Sequence, residues 1–255
     1  MASTASTTLP TYVKPPGRLY RAEPARAAFE LSRFWAAYPV LVGPSGGPTG
    51  DGQGVLVLPG FMASDVSTRA LRKLLVDRGY PAQPWGLGRN LGPTSKVLAG
   101  LDAALADLVE RTGRPVSIVG WSLGGIFARG LAARHPERVR NVITIASPLR
   151  VTEHADHKDM TNAGRLYYAL RRLHSEEDWL PEDVLHNPPP VPSTAIYSKS
   201  DGIVPWQSCL EFEGPRSESV QVNGSHCGLG HNVGAMPVLI DRLAMPEGTW
   251  VPYRG

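Results

Sequence analysis

The chain has 255 residues, 42% of them hydrophobic and 19% charged, which is the balance of a globular protein and excludes a wholly disordered one. The formal net charge of +3 is small and the basic residues form no run, which argues against nucleic acid as a partner. No apolar run approaches the ~20 residues that span a bilayer, and the first residues lack the pattern of a signal peptide, so we predict a cytoplasmic protein without a transmembrane segment.

The amino-terminal part of the chain divides at Glu23. We predict that residues 1–22 are a flexible amino-terminal segment, the lead-in, and that residues 23–255 form a single domain. From Glu23 onward, apolar residues recur at the spacing of an amphipathic helix, and we expect this apolar face to pack against the domain. The residues of the expected face are Ala27, Ala28, Leu31, Phe34 and Trp35.

The next part of the chain alternates between predicted strands and helices. Residues 55–58 are an apolar run without alternation, which suits a strand that is buried on both faces of a parallel sheet. A β-branched apolar run at 116–119 predicts a second strand, and 139–145 predicts another buried strand. Helical patterns occupy 68–78 and 95–112, and a glycine follows each of them. This order predicts right-handed βαβ units.

The segment 149–192 interrupts the alternation. It is rich in Arg, His and Asp, ends in three prolines and is too long for a simple connection. We predict that it is an inserted cap over the strand ends, where substrate selectivity would reside. Strands at 194–197 and 219–222 and a helix at 233–243 follow it. The whole pattern predicts an α/β fold with a mostly parallel central sheet, helices on both faces and this inserted cap.

A Gly-x-Ser-x-Gly motif stands at residues 120–124, between a predicted strand and a predicted helix. In that setting the motif is typical of a nucleophile elbow, a sharp turn whose glycines leave room for the neighbouring strand and helix. Such a turn exposes the hydroxyl of its serine above a helix N-terminus. An ordinary Gly/Ser turn is the alternative, and the strand–turn–helix context disfavours it. We therefore predict Ser122 as a catalytic nucleophile.

A serine nucleophile needs a histidine that accepts its proton and an acid that orients the histidine. In this architecture the chain order is Ser, acid, His, with each residue just beyond a strand end. Asp201 follows the strand at 194–197 and is the predicted acid, although Asp-Gly is also a common turn pair. His226 and His231 both follow the strand at 219–222. We favour His226, which is nearer the strand end, and keep His231 as the alternative.

Two backbone N–H groups are needed to stabilise the oxyanion of the reaction. We expect one from Leu123, the residue after the nucleophile, and the other from Phe61 in the loop after the first buried strand. Met62 and Trp121 stand beside these positions in the sequence and are candidate substrate-binding residues.

The chain resembles the α/β-hydrolase superfamily, in particular bacterial lipase- and esterase-like serine hydrolases. In that family a histidine followed by x-Gly-Leu is commonly the base of the triad, and this resemblance supports His226. Many relatives have His-Gly before the oxyanion residue, whereas this chain has Pro59 and Gly60. The segments that carry the resemblance are 55–61, 120–125, 143–148, 199–206 and 225–229.

Several other signals remain secondary. Residues 153–157 read Glu-His-Ala-Asp-His, but no further ligand set accompanies them, and we predict no metal site. No dinucleotide or nucleotide motif occurs, and the mechanism needs no cofactor. Two cysteines are too few for a disulfide framework, and we expect unpaired thiols. Arg89, Asn90, Asp65 and Trp85 have no assigned role.

These features predict a hydrolase of carboxylic esters, acting through an acyl-enzyme on Ser122, whose substrate is a small-molecule or lipid-like ester. One alternative is an acyltransferase that passes the same acyl group to another acceptor. The other is a binding protein that keeps the fold without turnover. Oligomeric state and ester specificity are not predictable from these patterns.

Overall fold

The computed structural model of the protein describes residues 13–150, 161–175 and 179–255. At its centre is a sheet whose strands lie in the order β2-β1-β3-β4-β5-β6, with every neighbouring pair parallel. This architecture confirms the predicted parallel sheet. The strands are β1 (Val55–Leu58), β2 (Ala82–Pro84), β3 (Val116–Trp121), β4 (Val139–Ile145), β5 (Ser193–Tyr197) and β6 (Ser217–Gln221).

The helices cover both faces of this sheet. They are α1 (Gly17–Val42), α2 (Arg69–Asp77), α3 (Ser95–Thr112), α4 (Leu123–Arg134), α5 (Asn162–Ala169), α6 (Glu182–His186) and α7 (Ala235–Ala244). No helix in the described ranges is both long enough and apolar enough to traverse a bilayer.

Strand β1 shows why its residues are all apolar. Val55 and Val57 point to one face, where they join a core cluster with residues of α1, α2 and α7. Leu56 and Leu58 point to the other face and pack with residues of α3 and α4. Because successive side chains of a strand point to opposite faces, a strand that is covered on both sides must be apolar throughout.

Helix α1 differs from its prediction in two ways. It begins at Gly17, six residues before the predicted start at Glu23, so residues 17–22 are helical and not a flexible lead-in. Residues 1–12 lie outside the described part. The predicted apolar face is also wrong in part, because Phe34 is buried but Leu31 and Trp35 are 36% and 44% exposed. The helix is rotated so that Glu23 and Glu30 face polar backbone groups of the loops below it.

The predicted cap segment 149–192 contains α5 and α6, while residues 151–160 and 176–178 lie outside the described ranges. Tyr167 of α5 packs edge-on against Phe61, with ring centroids 5.5 Å apart. Trp179 packs on Phe127 of α4, with centroids 5.0 Å apart. The first contact places α5 beside the loop after β1, at the carboxyl ends of the strands. Trp179 lies along α4 instead, where its carbonyl accepts from Arg134 at 2.7 Å. The cap role of the segment stays a prediction.

Candidate active site

Ser122 lies at the sharp turn between β3 and α4. Its backbone adopts φ 53° and ψ −121°, a conformation that costs a residue with a side chain about 1–3 kcal/mol. The turn is held to the next strand by a hydrogen bond from the Ser122 N–H to the Ile145 carbonyl, at 2.7 Å. The hydroxyl therefore projects from a fixed and strained position at the strand ends.

The two glycines of the motif make this turn possible. A Cβ on Gly120 would lie 2.4 Å from the Gly124 carbonyl oxygen, and a Cβ on Gly124 would lie 2.4 Å from the Leu58 carbonyl oxygen. Both distances are shorter than real Cβ contacts, and the obstacles are backbone atoms. Only glycine therefore allows β3 and α4 to approach β1 and each other this closely.

The structure brings Ser122, Asp201 and His226 into one hydrogen-bonded chain. The Nδ1 atom of His226 lies 2.7 Å from Asp201 Oδ2, and its Nε2 atom lies 3.1 Å from Ser122 Oγ. Asp201 Oδ1 is held separately by the N–H groups of Ile203 and Val204, at 2.8 and 2.9 Å. One carboxylate oxygen thus fixes the acid in its loop, and the other is left to orient the imidazole.

Opposing effects set the proton affinity of His226. Burial by itself lowers the pKa of the imidazole, but the charge and hydrogen bond of Asp201, with the charge of Glu23, outweigh burial and raise the pKa above its ordinary value. An imidazole flanked by carboxylates is well suited to hold a proton that it takes from a hydroxyl.

The alternative base, His231, lies elsewhere. Its Nε2 atom is 3.2 Å from the Ala27 carbonyl oxygen of α1, and its ring packs edge-on against Trp121. Burial lowers the pKa of His231, which favours the neutral ring. This histidine therefore joins the loop to α1, and the structure offers His226 alone of the two to Ser122.

The predicted oxyanion donors lie beside the nucleophile. Leu123 is the first residue of α4, where backbone N–H groups have no partner within the helix. Gly60 lies against the elbow, since a Cβ there would be 3.1 Å from Ser122 Cβ. The Met62 N–H donates to the Asn90 carbonyl at 2.7 Å, whereas the Phe61 N–H has no hydrogen-bond partner in the described part of the chain. The loop thus leaves the Phe61 amide available next to Ser122.

The two candidate substrate-binding residues have different surroundings. Trp121 is buried in the core, and its indole N–H donates to the His226 carbonyl at 3.1 Å. Its ring also lies against Gly230, where a Cβ would approach within 2.3 Å. The Trp121 side chain therefore packs against the loop that carries His226 and Gly230, and its contacts are with this loop and the core. Met62 is half-buried and has a positive φ of 62°.

Asn90, which had no role from the sequence, holds the loop after β1, called the oxyanion loop below because it carries the predicted donor Phe61. Its Nδ2 donates to the Pro59 carbonyl at 2.8 Å and its Oδ1 accepts from the Gly92 N–H at 3.1 Å. The side chain is fully buried. Asp65 and Trp85 are structural instead: the carboxylate accepts the Trp85 N–H at 3.1 Å, which ties the end of β2 to the loop after β1.

Sequence reasoning missed the polar contacts of α1. Glu23 accepts N–H groups from the loops of both Asp201 and His226, and Glu30 accepts the Ser225 N–H at 2.7 Å. The spacing of seven residues between the two glutamates places them on one helical face, and this was the available signal. The sequence did not indicate which backbone groups that face would meet.

Metal and disulfide chemistry find no support in the described ranges. They contain no cluster of three or more His, Cys, Asp or Glu side chains that could hold a metal ion. The Glu-His-Ala-Asp-His stretch at 153–157 lies outside them. Cys209 and Cys227 are both unpaired, the first buried and the second exposed.

Comparisons with known proteins point in the same direction. A family model described as the alpha/beta hydrolase fold matches residues 99–178. Among curated proteins, a pimeloyl-[acyl-carrier protein] methyl ester esterase of Neisseria meningitidis serogroup B is 37% identical over 92 residues, which is 34% of this chain and 36% of that protein. An esterase of the same description from Chromobacterium violaceum is 32% identical over 112 residues, 40% of this chain and 39% of that protein. The chain thus spans well under half the length of these relatives.

Solved structures extend the likeness to most of the chain. Lipase B of Aspergillus fumigatus superposes with a TM-score of 0.60 and 17% identity, covering 81% of this chain and 54% of that one. An alpha/beta superfamily hydrolase of Oenococcus oeni superposes with a TM-score of 0.55 and 16% identity, covering 76% of this chain and 92% of that one. At such identities the likeness concerns the fold.

Proposed function

We propose that this chain, which has the α/β-hydrolase fold, is a serine hydrolase that cleaves carboxylic esters. The observation that carries the proposal is the hydrogen-bonded chain from Asp201 through His226 to Ser122, with distances of 2.7 and 3.1 Å. The strained serine at the β3–α4 turn and the amide groups beside it support the same chemistry.

The reaction follows from the positions of these groups. His226 Nε2 takes the hydroxyl proton while Ser122 Oγ attacks the ester carbonyl, and Asp201 stabilises the imidazolium. The N–H groups of Phe61 and Leu123 donate to the oxyanion. The imidazolium then gives its proton to the departing alcohol, which leaves an acyl group on Ser122. Water, deprotonated by His226, attacks this acyl-enzyme, and the acid product leaves as the serine regains its proton.

Methyl esters are the substrate class that we propose to examine first, because the curated relatives are described as methyl ester esterases. Phe61 and Tyr167 pack against each other beside the strand ends, and we propose that they contribute to an apolar acyl pocket. An apolar pocket favours an acyl chain over a polar acyl group.

The test is a chain-length series of p-nitrophenyl and methyl esters, with Ser122→Ala as the control. We expect hydrolysis by the wild type and none above background by Ser122→Ala. In a second experiment both proteins are treated with a serine-reactive phosphonate, and intact-mass analysis should show one stable adduct on the wild type and none on Ser122→Ala. Hydrolysis that persists in Ser122→Ala would contradict the proposal. Product that forms only when an alcohol or amine acceptor is added would favour the acyltransferase. A wild type without turnover or labelling would favour a binding protein.

A further inference from the structure

Helix α1 lies across the two loops that carry Asp201 and His226, and its residue Glu23 binds the backbone of both loops. One carboxylate oxygen of Glu23 accepts the Gly202 N–H at 2.8 Å and the His226 N–H at 3.0 Å. The other oxygen accepts the Cys227 N–H at 2.8 Å. The residue is 2% exposed. A side chain from the amino-terminal helix therefore binds the backbone of the base and of the residue after the acid.

These contacts satisfy a group that is costly to bury. A carboxylate without partners in a protein interior is strongly destabilising, whereas hydrogen bonds from N–H groups to an ionised acceptor are shorter and about twice as strong as neutral ones. Glu23 makes three such bonds, with partners that lie 179 to 204 residues away in the chain. The two loops also bond directly to each other, since Ser198 Oγ accepts the Gly224 N–H at 3.1 Å. The carboxylate adds a second connection between them, at the backbone of His226 itself and of the residue after Asp201.

Other residues of α1 contact the same loops at their outer ends. Arg26 donates to the Ser200 carbonyl at 2.8 Å, and Glu30 accepts the Ser225 N–H at 2.7 Å. Each of these residues contacts one loop, next to a triad residue and not at it. Glu23 differs from both because it joins the two loops to each other and binds the His226 amide itself.

We propose that Glu23 is a positioning residue of the triad, which fixes the backbone of the acid loop and of the base loop so that His226 stays aligned between Asp201 and Ser122. This inference rests on the proposed hydrolase function. Alignment matters because a displacement of about 1 Å in a reacting group costs roughly 10²-fold in rate. The His226–Ser122 hydrogen bond, at 3.1 Å, is the distance that loop movement would change first.

The charge of Glu23 provides a readout that loss of structure alone would not produce. The groups that act on His226 are Asp201 from the loop after β5, Ser122 from the elbow and Glu23 from α1. Glu23 itself has two further neighbours, the Cys227 thiol and the Arg26 guanidinium, whose Nη1 lies 3.6 Å from the carboxylate. Against the opposing effect of burial, the negative charges of Asp201 and Glu23 raise the pKa of His226. Removing the charge of Glu23 should therefore lower this pKa and move the acid limb of the rate profile to lower pH.

The test compares Glu23→Gln with Glu218→Gln. Glu218 is a matched control because it also makes three hydrogen bonds, to Thr194, Arg242 and the Tyr253 N–H, but on β6 and away from the triad. Hydrolysis of p-nitrophenyl butyrate is followed across pH, at a wavelength where phenol and phenolate absorb equally, and each variant's thermal unfolding is measured.

For Glu23→Gln we expect kcat to fall about 10- to 100-fold, KM to stay within about twofold, and the acid limb of kcat/KM to move to lower pH. For Glu218→Gln we expect a comparable loss of thermal stability with kcat and the pH profile unchanged. If kcat and the acid limb of Glu23→Gln match those of the wild type, the positioning role is refuted. A wild type that does not hydrolyse esters refutes the proposed function instead, before any Glu23 variant is compared.

Glu23→Asp supplies the test if Glu23→Gln does not fold. The shorter side chain keeps the charge but cannot reach both loops, so kcat should fall while the acid limb stays in place. An unchanged kcat in Glu23→Asp would overturn the proposal.

Discussion

Replacing Gly60 with alanine should slow ester hydrolysis without unfolding the protein. The φ of Gly60 is not in the left-handed region, so alanine can adopt its backbone conformation. The new Cβ would lie 3.1 Å from the Ser122 Cβ and 3.8 Å from the Ser122 Oγ, where an ordinary contact begins at 3.4 Å. It would also lie 3.3 Å from the Trp121 carbonyl oxygen. The oxyanion loop and the elbow must therefore move apart by a few tenths of an ångström.

The size of the effect follows from that displacement. A shift of about 1 Å at the reacting groups costs roughly 10²-fold in rate, and complete loss of one oxyanion donor costs roughly 10²- to 10³-fold. Because the Phe61 amide and Ser122 would separate by only a fraction of 1 Å, we expect kcat to fall about 10-fold. We expect the free energy of unfolding to change by less than about 1 kcal/mol, since the loop can adjust by so small a distance.

The assay is steady-state hydrolysis of p-nitrophenyl butyrate together with thermal unfolding. Gly17→Ala is the control, because a Cβ at Gly17 meets no atom within 4 Å. Wild-type kcat in both variants would refute the view that the Gly60 backbone lies against the nucleophile. A large loss of stability in Gly60→Ala would refute the view that the loop can adjust.

Three further predictions concern residues around the site. Asn90→Ala removes a buried hydrogen bond and leaves the Pro59 carbonyl without this donor. In urea titrations the free energy of unfolding should fall by about 1–3 kcal/mol, and kcat should fall as well because the oxyanion loop loses this support. Because the pKa of His226 is raised and the neutral imidazole is the active form, kcat/KM should fall as pH decreases, with a midpoint above 6.5; a midpoint below that value would contradict the assigned charges. Arg129→Met leaves the buried Glu211 carboxylate without its ion-pair partner and should cost about 3–5 kcal/mol in the same titrations, whereas Arg111→Met, from an exposed pair, should cost less than about 1 kcal/mol.

The fold was predictable because its signals are local. Strand β4 (Val139–Ile145) and helix α3 (Ser95–Thr112) have the predicted bounds, since each is one apolar pattern between breaking residues. Gly113 adopts the left-handed conformation that ends α3, as the glycine after a helical pattern indicates. The family model and the solved structures confirm the resemblance to α/β-hydrolases on which the fold class also rested.

The positions of Ser122, Asp201 and His226 could be predicted for a related reason. In a parallel sheet the carboxyl ends of all strands lie at one edge, so residues that follow different strands come together wherever they are in the sequence. Strand order β3-β4-β5-β6 places the loops after β3, β5 and β6 along that edge. The choice between His226 and His231 needed more than this rule, because both histidines follow the same strand.

Helix α1 was predicted poorly because only part of its environment is apolar: Phe34 and Leu41 lie in the core, whereas Glu23 and Glu30 meet polar backbone groups. A periodicity argument assumes that the face of a helix with most apolar residues is the buried one. Here the loops beneath the helix expose backbone N–H groups, and carboxylates satisfy these groups better than apolar side chains do. Glu23 is therefore almost fully buried, while Phe29 on the same helix is 63% exposed.

The residues proposed to react and the residues that hold them in place come from different parts of the chain. The groups assigned to the chemistry stand at strand ends, where sheet topology brings them together, but the groups that hold them come from distant segments. Asn90 holds the oxyanion loop through Pro59, and Trp121 and Glu23 hold His226 through its carbonyl and its amide. The loops take part in these contacts through backbone atoms, which every residue type has. The amino-acid types in the loops therefore do not indicate which distant side chain binds there. Substitutions at Asn90 or Glu23 should therefore alter turnover although neither side chain is assigned to touch the ester, and substitutions at exposed residues of α1 such as Phe29 should not.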